Sequence, residues 1–327
     1  LYASQPEPGD AVTARIRSQD LVWHPCRHLS DVDLADRIHA DGIDLLVELN
    51  GHTQGTRLGA LAGHPAARQA SWLGYPFSTG LSQIDYRITD RWVDPEDRPG
   101  PEKPCAMDRC QYVFRPTADA PAVGLLPATQ LGGITFGSLN NISKLNESVV
   151  ETWSRILRGC PGSRLLLKCR QLGDPYWRGR VHGLFAAHGV GSDRLLLRPA
   201  QPSTNLHLAT YHEIDVALDP FPYNGFTTTC EALWMGVPVV ALAGSMPQGR
   251  GGLSLLNALG RSRWVAGDTD AYVSLAIALA ADLASLASER EGLRSLMESS
   301  PLRQEDDHAR SFERCVEQML ALPSPAA

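Results

Sequence analysis

The chain has 327 residues, 43% of them hydrophobic and 20% charged, with a formal net charge of −6. That length suits about two domains with sizeable cores, and the mild acidity argues against a nucleic-acid binder, which needs a basic face. No apolar run approaches the ~20 residues of a membrane span, and Leu1 to Pro6 lack the basic and apolar regions of a signal peptide.

The first residue is Leu, so the chain reads as a piece of a longer protein. Its seven cysteines, an odd number scattered along the chain, fit reduced thiols and a cytoplasmic location. Cys105 and Cys110 have no second close Cys/His pair behind them, so no metal site is expected there.

In chain order, the first expected element is a helix over 30–40, capped by Ser30 or Asp31, with Leu34 and Ile38 on one face. A buried strand follows over 43–49. Further strands are expected at 70–73, 86–89, 134–139, 164–168, 194–197, 214–218 and 239–242. Helical stretches lie near 147–158, 178–188, 203–212 and 227–235. The alternation is that of parallel sheets with crossover helices, an α/β fold. Residues 98–130 are rich in Pro, Ala and Gly without periodicity, and read as a linker. The expected division is a first domain over 1–115 that is incomplete at its N-terminus, a linker over 116–130, and a second domain over 131–327. The tail from 268 to 322 is expected to be helical with a break at Ser300-Pro301.

Segment 219–244 carries the strongest chemical signal, in the order strand, loop, helix, Gly-x-Pro turn, strand. In a parallel sheet the loop after a strand opens at the carboxyl edge, where ligands bind. Gly225 permits close backbone approach, and Thr227 and Thr228 open a helix whose free N–H groups and dipole attract phosphate. Glu231, one turn on, suits ribose hydroxyls. A second strand-end loop carries Lys144 just before a helix capped by Asn146, and a lone ammonium there suits a diphosphate leaving group. Two glycine-bearing loops of the first segment, 49–55 and 72–76, are candidates to line the same ligand site. No Asp-x-Asp stands in a plausible metal loop, so no metal is expected on the diphosphate. No Gly-x-Gly-x-x-Gly follows a strand, which argues against a nicotinamide enzyme. No Walker sequence is present, and the absence of Gly-x-Ser-x-Gly argues against a serine hydrolase.

Several of these strings together resemble the O-GlcNAc transferases: Asn50-Gly51-His52-Thr53-Gln54-Gly55, Trp72-Leu73-Gly74-Tyr75-Pro76, Asp85-Tyr86-Arg87-Ile88-Thr89-Asp90, the Lys144 loop and Asn224-Gly225-Phe226-Thr227-Thr228. The resemblance covers nearly the whole chain in the right order and is to a bacterial form. It implies the GT-B arrangement of two Rossmann-like domains facing a cleft, with tetratricopeptide repeats upstream. It further implies inverting, metal-independent transfer of GlcNAc from UDP-GlcNAc to Ser/Thr hydroxyls of cytoplasmic proteins. No cofactor is implied besides the donor substrate. The implied partners are the UDP-sugar donor and a protein or peptide acceptor, with neither nucleic acid nor membrane.

Carried over by position, Lys144 is the catalytic residue on the diphosphate. Asn141, where the family has Gln, lies near the uridine, and His207 stacks on the uracil, whose edge the backbone near Ala200 reads. Gly225, Thr227 and Thr228 bind phosphate; Glu231, an Asp in the animal enzymes, holds the ribose. Thr53, Leu73 and Gly74 line the GlcNAc pocket. Phe226 stands where the animal enzymes have His. The family's active-site His and Asp lie upstream of anything matching Leu1, so the general base is expected outside the chain, and His39, His52 and His64 are read as structural or surface residues. A UDP-glucose-using O- or N-glycosyltransferase and a non-catalytic UDP-sugar-binding scaffold stay open as alternatives.

Overall fold

The computed structural model describes residues 1–5, 9–95 and 100–321. It divides into two compact units: Leu1–Thr89 with Glu96–Met107 and Ser311–Ala327, and Asp90–Pro95 with Asp108–Arg310. Among the described residues no single helix is long and apolar enough to cross a membrane.

The first unit runs β1 (Tyr2–Ala3), α1 (Ala11–Arg17), β2 (His24–Pro25), α2 (Asp31–Ala40), β3 (Leu46–Glu48), α3 (Leu58–Leu61), β4 (Gln69–Ser71), β5 (Tyr86–Asp90) and β6 (Lys103–Met107). β1 and β2 pair in parallel. The main sheet has the order β3-β4-β5-β6, with β3, β4 and β5 parallel. Ser30 caps α2 in a full capping box with Asp33, and Leu34 and Ile38 are buried. Strand β6 corrects the expectation of an unstructured linker over 98–130. Its Cys105 and Met107 are buried while Lys103 and Pro104 are exposed, and Pro is tolerated on an edge strand such as this one. Arg98, where the linker was expected to begin, lies outside the described residues.

The second unit runs α4 (Ala128–Leu131), β7 (Thr135–Ser138), α5 (Glu147–Gly159), β8 (Arg164–Lys168), α6 (Pro175–Ala187), β9 (Leu195–Arg198), α7 (Thr204–Ala209), β10 (Val216–Leu218), α8 (Thr227–Trp234), β11 (Val239–Leu242), α9 (Gly251–Ala258), β12 (Val265–Ala266), α10 (Thr269–Ala281), α11 (Leu283–Ser299) and α12 (Glu305–Ala321). Its six strands are all parallel, in the order β12-β11-β10-β7-β8-β9. Counted within the unit this is 6-5-4-1-2-3, the doubly wound order, with the topological switch between β7 and β10.

Successive strand residues serve opposite faces. Leu165 and Leu167 of β8, Val216 and Leu218 of β10 and Val240 of β11 join Trp153 of α5, Phe185 of α6 and Tyr272 of α10 in one core. Leu166, Ala217, Val239 and Ala241 join Leu208 of α7, Leu233 of α8 and Leu255 of α9 in the other. Helices therefore cover both faces, which is why these strands read as continuous apolar runs.

The expected boundaries differ from the observed division. The second unit takes in Asp90–Pro95 and resumes at Asp108, both inside the span assigned to the first domain, and α12 from Ser311 onward is counted with the first unit. The tail also breaks at Asp282, which caps α11 by accepting from the Ser285 N–H at 3.0 Å. Leu322, the expected end of the tail, lies outside the described residues.

Candidate functional site

The carboxyl ends of β7 and β10 flank the switch point. Past β7 the chain turns through a short 3-10 helix, Ile142–Lys144, whose start Asn141 caps by accepting from the Ser143 N–H at 3.0 Å. This turn aims Lys144 back at the loop after β10. Its ammonium donates to Asn140 Oδ1 at 3.0 Å and to the Asn224 carbonyl at 2.8 Å, so it ties the two loops together. An ammonium has three donors; the third has no hydrogen-bond partner among the described residues, and the Tyr223 ring centre lies 4.6 Å from Nζ.

The loop after β10 is held rigidly. Asn224 is fully buried; its Nδ2 donates to the Pro220 carbonyl at 3.0 Å and its Oδ1 accepts from the Gly252 N–H at 3.2 Å. The Gly225 N–H donates to Asp219 Oδ1 at 2.6 Å. A Cβ on Gly225 would stand 2.3 Å from Thr228 Oγ1 and 2.9 Å from Asp219 Oδ1, so only glycine fits there. Helix α8 then starts with Phe226 at its N-cap, which supplies no side-chain cap. Exposed Thr227 and half-buried Thr228 form its first turn, and Thr228 Oγ1 donates to the same Asn140 Oδ1 at 3.2 Å. One half-buried lysine and one uncapped helix start thus converge on Asn140, an arrangement suited to an anion. Burial pulls the Lys144 ammonium below its ordinary value, with Asp219 opposing. Burial likewise pushes the Asp219 carboxyl up to about 7, with the Gly225 N–H and Lys144 opposing.

A turn further along α8, Glu231 Oε2 lies 3.0 Å from His207 Nε2. Behind His207, on its far ring nitrogen, sits Lys168 at the end of β8, its Nζ 2.7 Å from Nδ1. Tyr211 joins this group to the helix start by donating to the Thr228 carbonyl at 3.0 Å.

The structure therefore brings together Lys144, Gly225, Thr227, Thr228, Glu231 and His207 in the second unit. Asn141 is exposed beside them on the 3-10 turn, and Ala200 is exposed in the loop between β9 and α7. Thr53, Leu73 and Gly74 belong to the first unit. There Thr53 Oγ1 donates to the Asn50 carbonyl at 2.7 Å, Leu73 adopts φ +60°, and a Cβ on Gly74 would meet the Leu49 carbonyl oxygen at 1.7 Å. His52 lies 2.9 Å from the Thr79 carbonyl and His64 3.3 Å from Asp85. Cys105 and Cys110 fall in different units. Sequence reasoning missed Lys168, and it gave Asp219 and Asn224 no role of their own within the segment it singled out. A lysine closing the apolar run Leu165-Leu166-Leu167 at a carboxyl sheet edge was the available signal for the first.

Two Rossmann-like units, the second with Lys144 and the start of α8 meeting at its switch point, have the GT-B fold. Sucrose-phosphate synthase from Thermosynechococcus elongatus shares that fold at a TM-score of 0.55 and 16% identity, over 93% of this chain and 82% of that one. The chain belongs to glycosyl transferase family 41, whose model matches residues 18–100 and 126–311. The probable UDP-N-acetylglucosamine–peptide N-acetylglucosaminyltransferase SPINDLY of Arabidopsis thaliana is 40% identical over 299 residues, 90% of this chain and 33% of that protein. The protein of the same name from Oryza sativa subsp. japonica is 38% identical over 316 residues, 95% of this chain and 34% of that one. The chain thus spans about a third of the length of these relatives. A mutant of the O-GlcNAc transferase of Thermobaculum terrenum superposes with a TM-score of 0.88 at 36% identity, covering 98% of this chain and 61% of that one.

Proposed function

We propose that this chain is the catalytic region of a protein O-GlcNAc transferase that moves GlcNAc from UDP-GlcNAc to Ser/Thr hydroxyls, inverting the anomeric centre without a metal. The observation that carries this reading is the Lys144 ammonium bridging the loops after β7 and β10 beside the uncapped start of α8. The names of the plant relatives and of the Thermobaculum terrenum structure support the donor and the protein acceptor.

In this reading the diphosphate lies against the N–H groups of Thr227 and Thr228 and takes the remaining donor of Lys144. Charge that grows on UDP as it leaves is met by that ammonium and by the helix dipole, the work a divalent cation does elsewhere. His207 and the backbone near Ala200 hold the uracil, Asn141 lies by the uridine, and Glu231 accepts from the ribose. Seven free thiols support a reducing, cytoplasmic setting.

The test replaces Lys144 with Met in the full-length protein. Loss of one pre-organised donor costs about 3–4 kcal/mol of transition-state stabilisation, so transfer from UDP-GlcNAc should fall about 100- to 1000-fold. Transfer near wild type overturns the assignment of Lys144. UDP-glucose used in preference to UDP-GlcNAc overturns the choice of sugar, and tight UDP binding without any transfer makes the protein a scaffold.

A further inference from the structure

We propose that Lys168 is a positioning residue for the nucleoside half of the donor site, fixing His207 as the Nε2–H tautomer and thereby setting which Glu231 oxygen is left for the ligand. The inference rests on the UDP reading above and deepens it.

Lys168 and Lys144 stand at neighbouring strand ends but differ in what their ammonium groups have left to offer. Lys144 makes two hydrogen bonds within the chain. Lys168 makes three: to His207 Nδ1 at 2.7 Å, to the His207 carbonyl at 3.2 Å and to Thr210 Oγ1 at 3.2 Å. Three donors meeting three acceptors leave nothing for a phosphate. Lys168 is also 3% exposed, whereas the His207 and Glu231 side chains keep 27% and 15% of their surface. A ligand reaches the imidazole and the carboxylate, with the ammonium sealed behind them.

An ammonium cannot accept a hydrogen bond, so Nδ1 must present its lone pair to it. The ring proton then sits on Nε2, where it donates to Glu231 Oε2 at 3.0 Å. The row Lys168–His207–Glu231 therefore has one polarity, with a positive end inside and a carboxylate at the ligand side. Oε2 is occupied, and Oε1 has no hydrogen bond among the described residues. Orientation of a ring nitrogen by a partner on the opposite nitrogen is the usual way a histidine is set for its task.

The charged groups facing Lys168 are Glu231 of α8 and Glu213, which follows α7; both favour its charged form, while burial, the larger influence, brings it down to about 8. Arg198 of β9 pairs with Glu213 at 3.1 Å. The ammonium that enforces the tautomer is thus present at neutral pH and gives way above about pH 8 to a neutral amine, which can accept from Nδ1 as well as donate to it.

The experiment uses the full-length protein labelled with 15N-histidine, with His207→Gln to assign the resonance. At about pH 7.5, below the lowered lysine value of about 8, ligand-free wild type should show an unprotonated Nδ1 and a protonated Nε2. The opposite tautomer overturns the proposal. Lys168→Met should scramble the tautomer and weaken UDP by about tenfold, the worth of one charge-assisted hydrogen bond. Binding of inorganic pyrophosphate should not change, and Lys168→Arg should restore both the tautomer and UDP affinity. An equal loss for pyrophosphate would make Lys168 a phosphate ligand and sink the idea. A wild type that binds no UDP defeats the functional reading, while the difference in ligand-free tautomer between wild type and Lys168→Met still decides the role of Lys168.

Discussion

Asp219 is sealed from solvent, and of its two oxygens only Oδ1 is hydrogen-bonded among the described residues. Its carboxyl, pushed up to about 7 by burial, keeps its proton in the folded chain where an unfolded one near 3.8 has lost it. Folding therefore takes up a proton between about pH 4 and pH 7, and this group's contribution to stability falls as pH rises through that window. Asp219→Asn keeps an acceptor for the Gly225 N–H and removes the titration. Urea midpoints at about pH 5 and pH 7 should lie closer together in the variant than in wild type, and an unchanged gap would assign the slope to other groups. In the sequence, Gly225, Thr227, Thr228 and Glu231 could be picked out because glycine, hydroxyl and carboxylate at those spacings have a local meaning. Lys168 offers only its place at the end of an apolar run, and Asp219 not even that: what distinguishes them is burial beside His207, 39 residues away, for the first and beside Lys144 for the second, and no local pattern encodes those partners.

At the scale of elements, Asn146 does two things. Its Oδ1 accepts from the Val149 N–H at 3.0 Å and caps α5, while its Nδ2 donates to the Phe221 carbonyl at 2.6 Å and holds the loop after β10. Asn146→Ala should lower unfolding free energy by about 1–2 kcal/mol, the value of a cap plus one hydrogen bond. Asn146→Asp keeps the cap and should recover about half of that in denaturant unfolding; an equal loss in both variants would place the whole effect on the Phe221 bond. This cap was legible in the sequence, as were β7, β8, β10, β11 and α8, because apolar runs and turn residues alternate cleanly there. Helix α9 was not. It opens with Gly251 and Gly252, poor helix formers, and both are there for packing. A Cβ on Gly251 would come within 2.2 Å of Phe226 Cε1, and one on Gly252 within 2.5 Å of Ala241 Cβ. Packing against β11 and the site loop overrides propensity at that point. Strand β6 was hidden for the converse reason, since Pro104 and Lys103 face outward on an edge and mask the alternation of Cys105 and Met107.

At the scale of the whole molecule, α12 is shared out: Glu305–Arg310 count with the second unit and Ser311 onward with the first. The sequence marks the tail as helical without saying what Cys315 and Met319 pack against; hence the whole tail read as part of the second domain. In the structure those residues close the core formed by Ala70, Tyr86, Ile88, Cys105 and Met107, and Phe312 stacks on Trp72 with ring centres 4.6 Å apart. A Met removed from such a position leaves a void that the surrounding strands cannot fill, at a cost of about 2–5 kcal/mol. Because the packing it loses belongs to the first unit, Met319→Ala should loosen β4 and β5 selectively. Hydrogen exchange followed by mass spectrometry should show faster exchange of their amides, with β7 and β10 as protected as in wild type. Uniform acceleration across both sheets would mean that the units unfold as one cooperative body, and that the last turns of α12 stabilise the second sheet as much as the first.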